Sequence, residues 1–180
     1  MDTEKNMKHM VVVGASGAIG GALVHALHTR YQGAVLHAIG RSSMQFPKAI
    51  HMHKVHEWDA QAFEKVRQIC SEIGALDGIW VANGALAVGG RTPEKTISAI
   101  DQAYMYDILQ ANLVVPALAL KHFVPLLSKE KASMVMALSA RVGSITDNRL
   151  GGWYSYRASK SALNMLLKTL ALELARTHPK

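Results

Sequence analysis

A chain of 180 residues suits one domain, and with 49% of them hydrophobic it has enough apolar material for a core without covalent cross-links. The single cysteine, Cys70, rules out an intrachain disulfide framework and agrees with a reducing compartment, so a cytoplasmic location is expected. The formal charge of +7 comes from scattered basic residues with few aromatics among them, so an anionic small-molecule cofactor explains it more economically than nucleic acid.

The start, MDTEKNMKHM, is polar and lacks a signal-peptide apolar run, so residues 1–8 are expected to be a disordered or appended extension of a single domain spanning 1–180. HMVVVGA (9–15) is a short apolar run ending in glycine and predicts a buried strand. AIGGALVHALHTRY (18–31) repeats Ile19, Leu23 and Leu27 every fourth residue, which predicts a helix with His25 and His28 on its solvated side. AVLHAIG (34–40) and AIHMHKVHEW (49–58) predict two more strands. Asp59 is placed to cap a helix reaching Ile73. LDGIWVANGA (76–85) predicts a fourth strand, and VGGRTPEK follows with Pro93 suited to a helix start. A long helix is expected over 100–127, a fifth strand over 133–140 with Met134 and Met136 in the core, and a last helix over 154–177. No run reaches the roughly 18 consecutive apolar residues of a membrane span, so no membrane partner is expected. Strands alternating with helices predict a doubly wound α/β domain with a parallel sheet in the order 3-2-1-4-5.

VGASGAIGG joins the first strand to the first helix, with Gly14, Gly17 and Gly20 spaced G-x-x-G-x-x-G. Such glycines allow a tight turn, close backbone approach to a pyrophosphate, and close helix–strand packing. The helix start adds free N–H groups and a partial positive charge. Gly14, Ser16, Gly17, Ile19 and Gly20 are therefore candidate cofactor contacts. A Walker loop is excluded, since no Gly-Lys-Ser/Thr ends the run. At the end of the second strand, Arg41 and Ser42 stand where a carboxylate would hold the ribose 2′-OH of NAD. An arginine with a hydroxyl suits a 2′-phosphate, which favours NADP over NAD. Asp59 is a candidate for both the helix cap and an adenine contact. His51, His53 and His56 have period-two spacing on a strand, with His51 and His53 placed on one exposed face, and no metal is expected there.

YSYRASK holds two tyrosines, and only Tyr156 lies four residues before Lys160, on the same helix face about 6 Å along the axis. An ammonium beside a phenol stabilises the phenolate and lowers its pKa from about 10. The phenol then becomes a usable acid or base for a carbonyl/alcohol pair.

These stretches, with DGIWVANG, ANL (111–113), LSARVGSI and YSYRASKSALN, resemble the short-chain dehydrogenase/reductase family over almost the entire chain. The wording is most similar to the branch of C-factor-like proteins and small carbonyl reductases. The resemblance implies a Rossmann domain in which Tyr156 exchanges the proton and Lys160 holds the nicotinamide ribose. It implies that Asn112 supports a proton relay through its backbone, and that Asn83 and Gly84 border the cofactor. It further implies hydride transfer between NADPH and a small carbonyl or alcohol substrate, and a homo-oligomer paired through the long and last helices. Three departures stand out. Val13 replaces a threonine, VANG replaces an asparagine-rich motif, and Ala140 occupies the position three before Gly143 where a serine polarises the substrate. Ser139, brought in by a local bulge, is the candidate replacement, with Ser144 in reserve. Trp153 and DNRLGGW are candidate substrate walls. The chain stops where relatives continue into a sixth strand and a substrate-covering segment, so a nucleotide-binding protein without turnover is the rival reading.

Overall fold

A computed structural model describes residues 8–178. The predicted extension, residues 1–8, thus lies outside the described residues except for Lys8, which belongs to the fold. The Lys8 ammonium pairs with Asp77 at 3.3 Å and its carbonyl accepts from the Val35 N–H. Five strands, β1 (His9–Val13), β2 (Val35–Gly40), β3 (Ile50–Lys54), β4 (Gly78–Val81) and β5 (Met134–Ala137), form one sheet in the order β3-β2-β1-β4-β5. Every pair is parallel, as the alternation of strands and helices predicts. The helices are α1 (Ala18–Arg30), α2 (Ala60–Ile73), α3 (Gln102–Leu109), α4 (Val115–Phe123) and α5 (Tyr154–Thr177).

Alternation along β1 divides the core into two layers. Val11 and Val13 face α2 and α4, packing with Phe63, Val66, Cys70, Val115 and Phe123. Met10 and Val12 face α1, packing with Val24 and Leu27. Phe63 and Phe123 are fully buried, and each such side chain contributes about 1.5–3 kcal/mol of transfer free energy. Burial also pushes the Cys70 thiol up to about 12.

Several expectations need correction. β1 stops at Val13 because Gly14 turns the chain in the left-handed region at φ +88°. β3 ends at Lys54, before His56 and Trp58. Pro93 opens no helix; α3 begins at Gln102, where the Asp101 carboxylate caps the Tyr104 N–H at 2.8 Å. The long helix is continuous from Gln102 to Leu126 but changes pitch, with a π-helical stretch at Gln110–Val114 and a 3-10 turn at Val124–Leu126. By length and a mean hydropathy of 1.3 this helix could cross a membrane, yet Val115, Ala119, Leu120 and Phe123 bury one face of it in the core. Met134 and Met136 are not core: they are 52% and 44% exposed. β5 is an edge strand, and no described element covers the face opposite Val135 and Ala137. His51 and His53 do share a face, but it is the α2 side of the sheet. There the register sets His37 opposite His51, and His53 bonds back to His37 at 2.8 Å.

Candidate active site

The loop after β1 needs glycine at two positions for steric reasons. A side chain at Gly14 would meet the Asn83 amide nitrogen at 2.6 Å and the Ala82 carbonyl carbon at 2.8 Å; one at Gly20 would run into the Gly14 carbonyl oxygen. Gly17 is the N-cap of α1, contributes no capping side chain, and no acidic residue occupies the first turn. The first N–H groups of the helix are thus left for an anion. Beside them, at the carboxyl ends of the strands, opens a cavity of about 790 Å³. Of the candidate cofactor contacts, Gly14, Ser16, Gly17, Arg41, Ser42, Asp59, Asn83 and Gly84 line it. Ile19, Gly20 and Lys160 do not. Ile19 turns its side chain to solvent at 63% exposure, and Gly20 acts by letting helix and loop close. Arg41 is exposed and makes no side-chain hydrogen bond or ion pair among the described residues. Asp59 caps α2 by accepting from the Ala62 N–H at 2.7 Å while also facing the cavity. Glu57 lines the same space and was missed, because the HEW tripeptide reads as the end of a strand. Uncapped N–H groups, a glycine cradle and a guanidinium without a partner among the described residues fit the phosphates of a dinucleotide.

The second half of the site is the first turn and a half of α5. Gly151, Gly152 and Trp153 all adopt left-handed conformations, so the chain turns sharply into the helix. Trp153 has no capping side chain. The cap comes instead from Glu94, 61 residues upstream and 5% exposed, whose carboxylate accepts from the Ser155 N–H at 3.3 Å and from the Ser155 hydroxyl. No local sequence signal marks this pairing. Trp153 stands edge-on to Tyr156, with ring centroids 6.2 Å apart.

Lys160 is 3% exposed; its Nζ donates to the Leu138 carbonyl at 2.9 Å and lies 5.9 Å from the centre of the Tyr156 ring. Burial lowers the Lys160 pKa and raises that of Tyr156. The expected lowering of the phenol by the ammonium is not seen: lost hydration raises the phenol, and the ammonium is tied to the Leu138 carbonyl. A side chain at Gly84 would lie 2.9 Å from Asn112 Oδ1 and 3.1 Å from Lys160 Nζ, so the β4 loop, the long helix and α5 converge at that glycine.

Asn112 sits in the π-helical stretch and is fully buried. Its Oδ1 accepts from the Ala85 N–H at 2.8 Å; its Nδ2 donates to the Ala85 carbonyl at 2.8 Å and to Ser159 Oγ at 3.1 Å. The side chain is thus fully occupied as a strut, and only the backbone remains for other work. A π turn shifts local carbonyls out of the i→i+4 ladder, a deformation frequent at functional sites. Asn83 donates from Nδ2 to the Ala111 carbonyl at 2.9 Å, while its Oδ1 is buried without a partner among the described residues.

Ser139 is placed differently from the expectation. β5 runs in unbroken register and continues through the Leu138 N–H, without the bulge that would turn Ser139 toward Tyr156. Its hydroxyl donates to Asn164 Oδ1 at 2.6 Å. Asn164 is eight residues beyond Tyr156, about 12 Å along the helix. Ser144 is held within its own turn, accepting from the Asp147 N–H at 3.2 Å.

Sheet order, glycine cradle and Tyr–Lys helix together define a doubly wound Rossmann-type domain with a dinucleotide-shaped cleft. The family model for short chain dehydrogenases matches residues 8–178, and the chain belongs to that family. An uncharacterized oxidoreductase of Schizosaccharomyces pombe is 28% identical over 177 residues, covering 93% of this chain and 68% of its own length. Among solved structures, the carbonyl reductase Sniffer of Drosophila melanogaster aligns with a TM-score of 0.84 at 25% identity, covering 96% of this chain and 77% of that one. A short-chain dehydrogenase/reductase from Burkholderia multivorans with bound NADP aligns with a TM-score of 0.77 at 22% identity, covering 96% and 75%.

Proposed function

We propose that the chain is an NADP-dependent oxidoreductase acting on a small carbonyl/alcohol pair. The observation that carries this reading is the meeting of Gly84, Asn112 and Lys160 beside the glycine-lined cavity, one helical turn from Tyr156. Bound NADPH would supply a hydride to the carbonyl carbon. The N–H groups at the start of α1 receive the pyrophosphate, and Arg41 with Ser42 receives the 2′-phosphate. Lys160 holds ribose hydroxyls from its buried position, and Tyr156 donates the proton to oxygen. With Ser139 turned to Asn164, the phenol O–H is the group left to polarise that oxygen. The NADP bound to the Burkholderia relative supports the coenzyme choice.

The test is NADPH consumption with a panel of aldehydes and ketones. Turnover is expected, with Tyr156→Phe lowering kcat about 10²–10⁴-fold. NADPH should bind more tightly than NADH, and Arg41→Ala should erase that difference; equal affinity in the unaltered chain would refute the role given to Arg41. The alternative of nucleotide binding without turnover draws on Ala140 and on the engaged Ser139 hydroxyl. Cofactor binding with no turnover, unchanged by Tyr156→Phe, would select it. The reading extends to self-association through the long helix and α5, where Val114, Met165 and Leu172 are 38%, 66% and 53% exposed; light scattering after gel filtration tests it.

A further inference from the structure

Metal-ligating side chains collect on the α2 face of the sheet, away from the cofactor cleft. His9 is the first residue of β1, His37 lies in β2, and Cys70 lies in the last turn of α2. They are 5%, 0% and 0% exposed. One ligand atom from each (an imidazole nitrogen from each histidine, and Cys70 Sγ) lies within 4.8 Å of the others. The surrounding layer is apolar, yet both ring nitrogens of His9 and Nε2 of His37 are buried without a hydrogen-bond partner among the described residues. Buried polar atoms are nearly always paired, so three orphans beside one thiol call for an explanation.

One further feature favours a cation there. His37 Nδ1 lies 2.8 Å from His53 Nε2. With that Nδ1 as the donor, the tautomer leaves a bare lone pair on Nε2, which is how metal-bound histidines are commonly oriented. His51, exposed and stacked on His37 with centroids 5.1 Å apart, connects the cluster to the surface.

We propose that His9, His37 and Cys70 form a structural zinc site that ties β1 and β2 to the last turn of α2. Two imidazoles and a thiolate are a borderline-soft donor set that suits zinc and not magnesium or calcium. At the upper limit of separation, the centre of the triangle is about 2.8 Å from each donor, against about 2.0–2.3 Å for zinc–nitrogen and zinc–sulfur bonds. Closure therefore needs less than about 1 Å of movement per ligand. The thiol proton leaves to solvent, the sulfur and two neutral nitrogens donate lone pairs, and no redox change occurs.

The experiment uses the full chain, stripped with chelator and then titrated with zinc or cobalt(II). One equivalent per chain is expected, with a thiolate-to-cobalt charge-transfer absorption. Tm should rise by roughly 5–10 °C at zinc about 100-fold above Kd. Cys70→Ala should abolish the absorption and weaken zinc binding at least about tenfold. His25→Gln, on the exposed side of α1, should change neither. Failure to retain zinc, or retention without the thiolate absorption, would overturn the proposal, the latter by assigning the ion to surface histidines. Should Cys70→Ala fail to fold, the absorption of the unaltered chain decides alone.

Discussion

Glu94→Ala is expected to destabilise the fold by about 2–4 kcal/mol, although Glu94 lies in an irregular connection far in sequence from the helix it serves. The carboxylate replaces the missing N-cap of α5, and removing such an acceptor costs about 0.5–2 kcal/mol. It also accepts the Ser155 hydroxyl, and hydrogen bonds to a charged group contribute about 1.5–3 kcal/mol. The two effects share one carboxylate and overlap, which sets the upper bound. For a domain of this size the loss corresponds to roughly 5–15 °C in Tm. Thermal and urea unfolding followed by circular dichroism would measure it, with Glu94→Gln, which keeps an acceptor oxygen but loses the charge, falling between. Ser155→Ala completes a double-mutant cycle, where a coupling of about 1–3 kcal/mol is expected. A Glu94→Ala protein within about 0.5 kcal/mol of the original, or additive single and double variants, would refute the capping role.

Gly14→Ala should cost about 2–4 kcal/mol and abolish nucleotide binding, since φ +88° and backbone atoms at 2.6–2.9 Å both oppose a side chain. Gly33→Ala, at φ +82° with nothing within 4 Å, should cost only about 1 kcal/mol, and equal losses in unfolding titrations would contradict the steric argument. In the ligand-free chain Tyr156 should titrate above the ordinary value near 10, as followed by NMR of labelled tyrosine, and Lys160→Met should not raise it further through loss of charge. Above about pH 10 the unfolded chain releases a proton that the native phenol keeps, so this group's contribution falls as pH rises; a native value below 10 would reverse that sign. Glu64 is held at about 2 by its hydrogen bonds to Arg67, so its contribution is present above 4.5 and lost as pH falls through 2. Arg67→Ala should flatten that part of an acid-unfolding profile, and an unchanged profile would sink the assignment.

Strand order and the glycines of the first loop were legible because they rest on local pattern: apolar runs, period-four spacing, and glycines at a junction where backbone must approach backbone. What failed depended on neighbours. Met134 and Met136 alternate with Val135 and Ala137 as buried strand residues do, but burial of an edge strand is decided by what lies against it. The period-two spacing of His51 and His53 was visible; their stacking on His37 follows only from the β2–β3 register. Glu94 is invisible because its partner is 61 residues away. The Tyr156 pKa depends on sign: spacing reveals the ammonium, whereas only packing reveals how much water the phenol has lost. Ser139 failed as the replacement hydroxyl because a one-residue shift on a strand reverses the face and no bulge restores it, so the hydroxyl turns to Asn164.

The connection after β4 emerges as the part that assembles the site. Its first residues press the Asn83 backbone against Gly14, which fixes the phosphate loop. Ala85 then exchanges two hydrogen bonds with Asn112, anchoring the connection to the π-helical stretch, and Asn112 passes the link to Ser159 on α5. Glu94 closes the circuit by capping the same helix one turn before Lys160. The glycine loop and the Tyr156 helix make their shared contacts through this segment, so their relative placement depends on it. A change confined to residues 82–94 should therefore disturb nucleotide binding and the Tyr156 environment together, whereas a change in α1 away from Gly14 should disturb only the first.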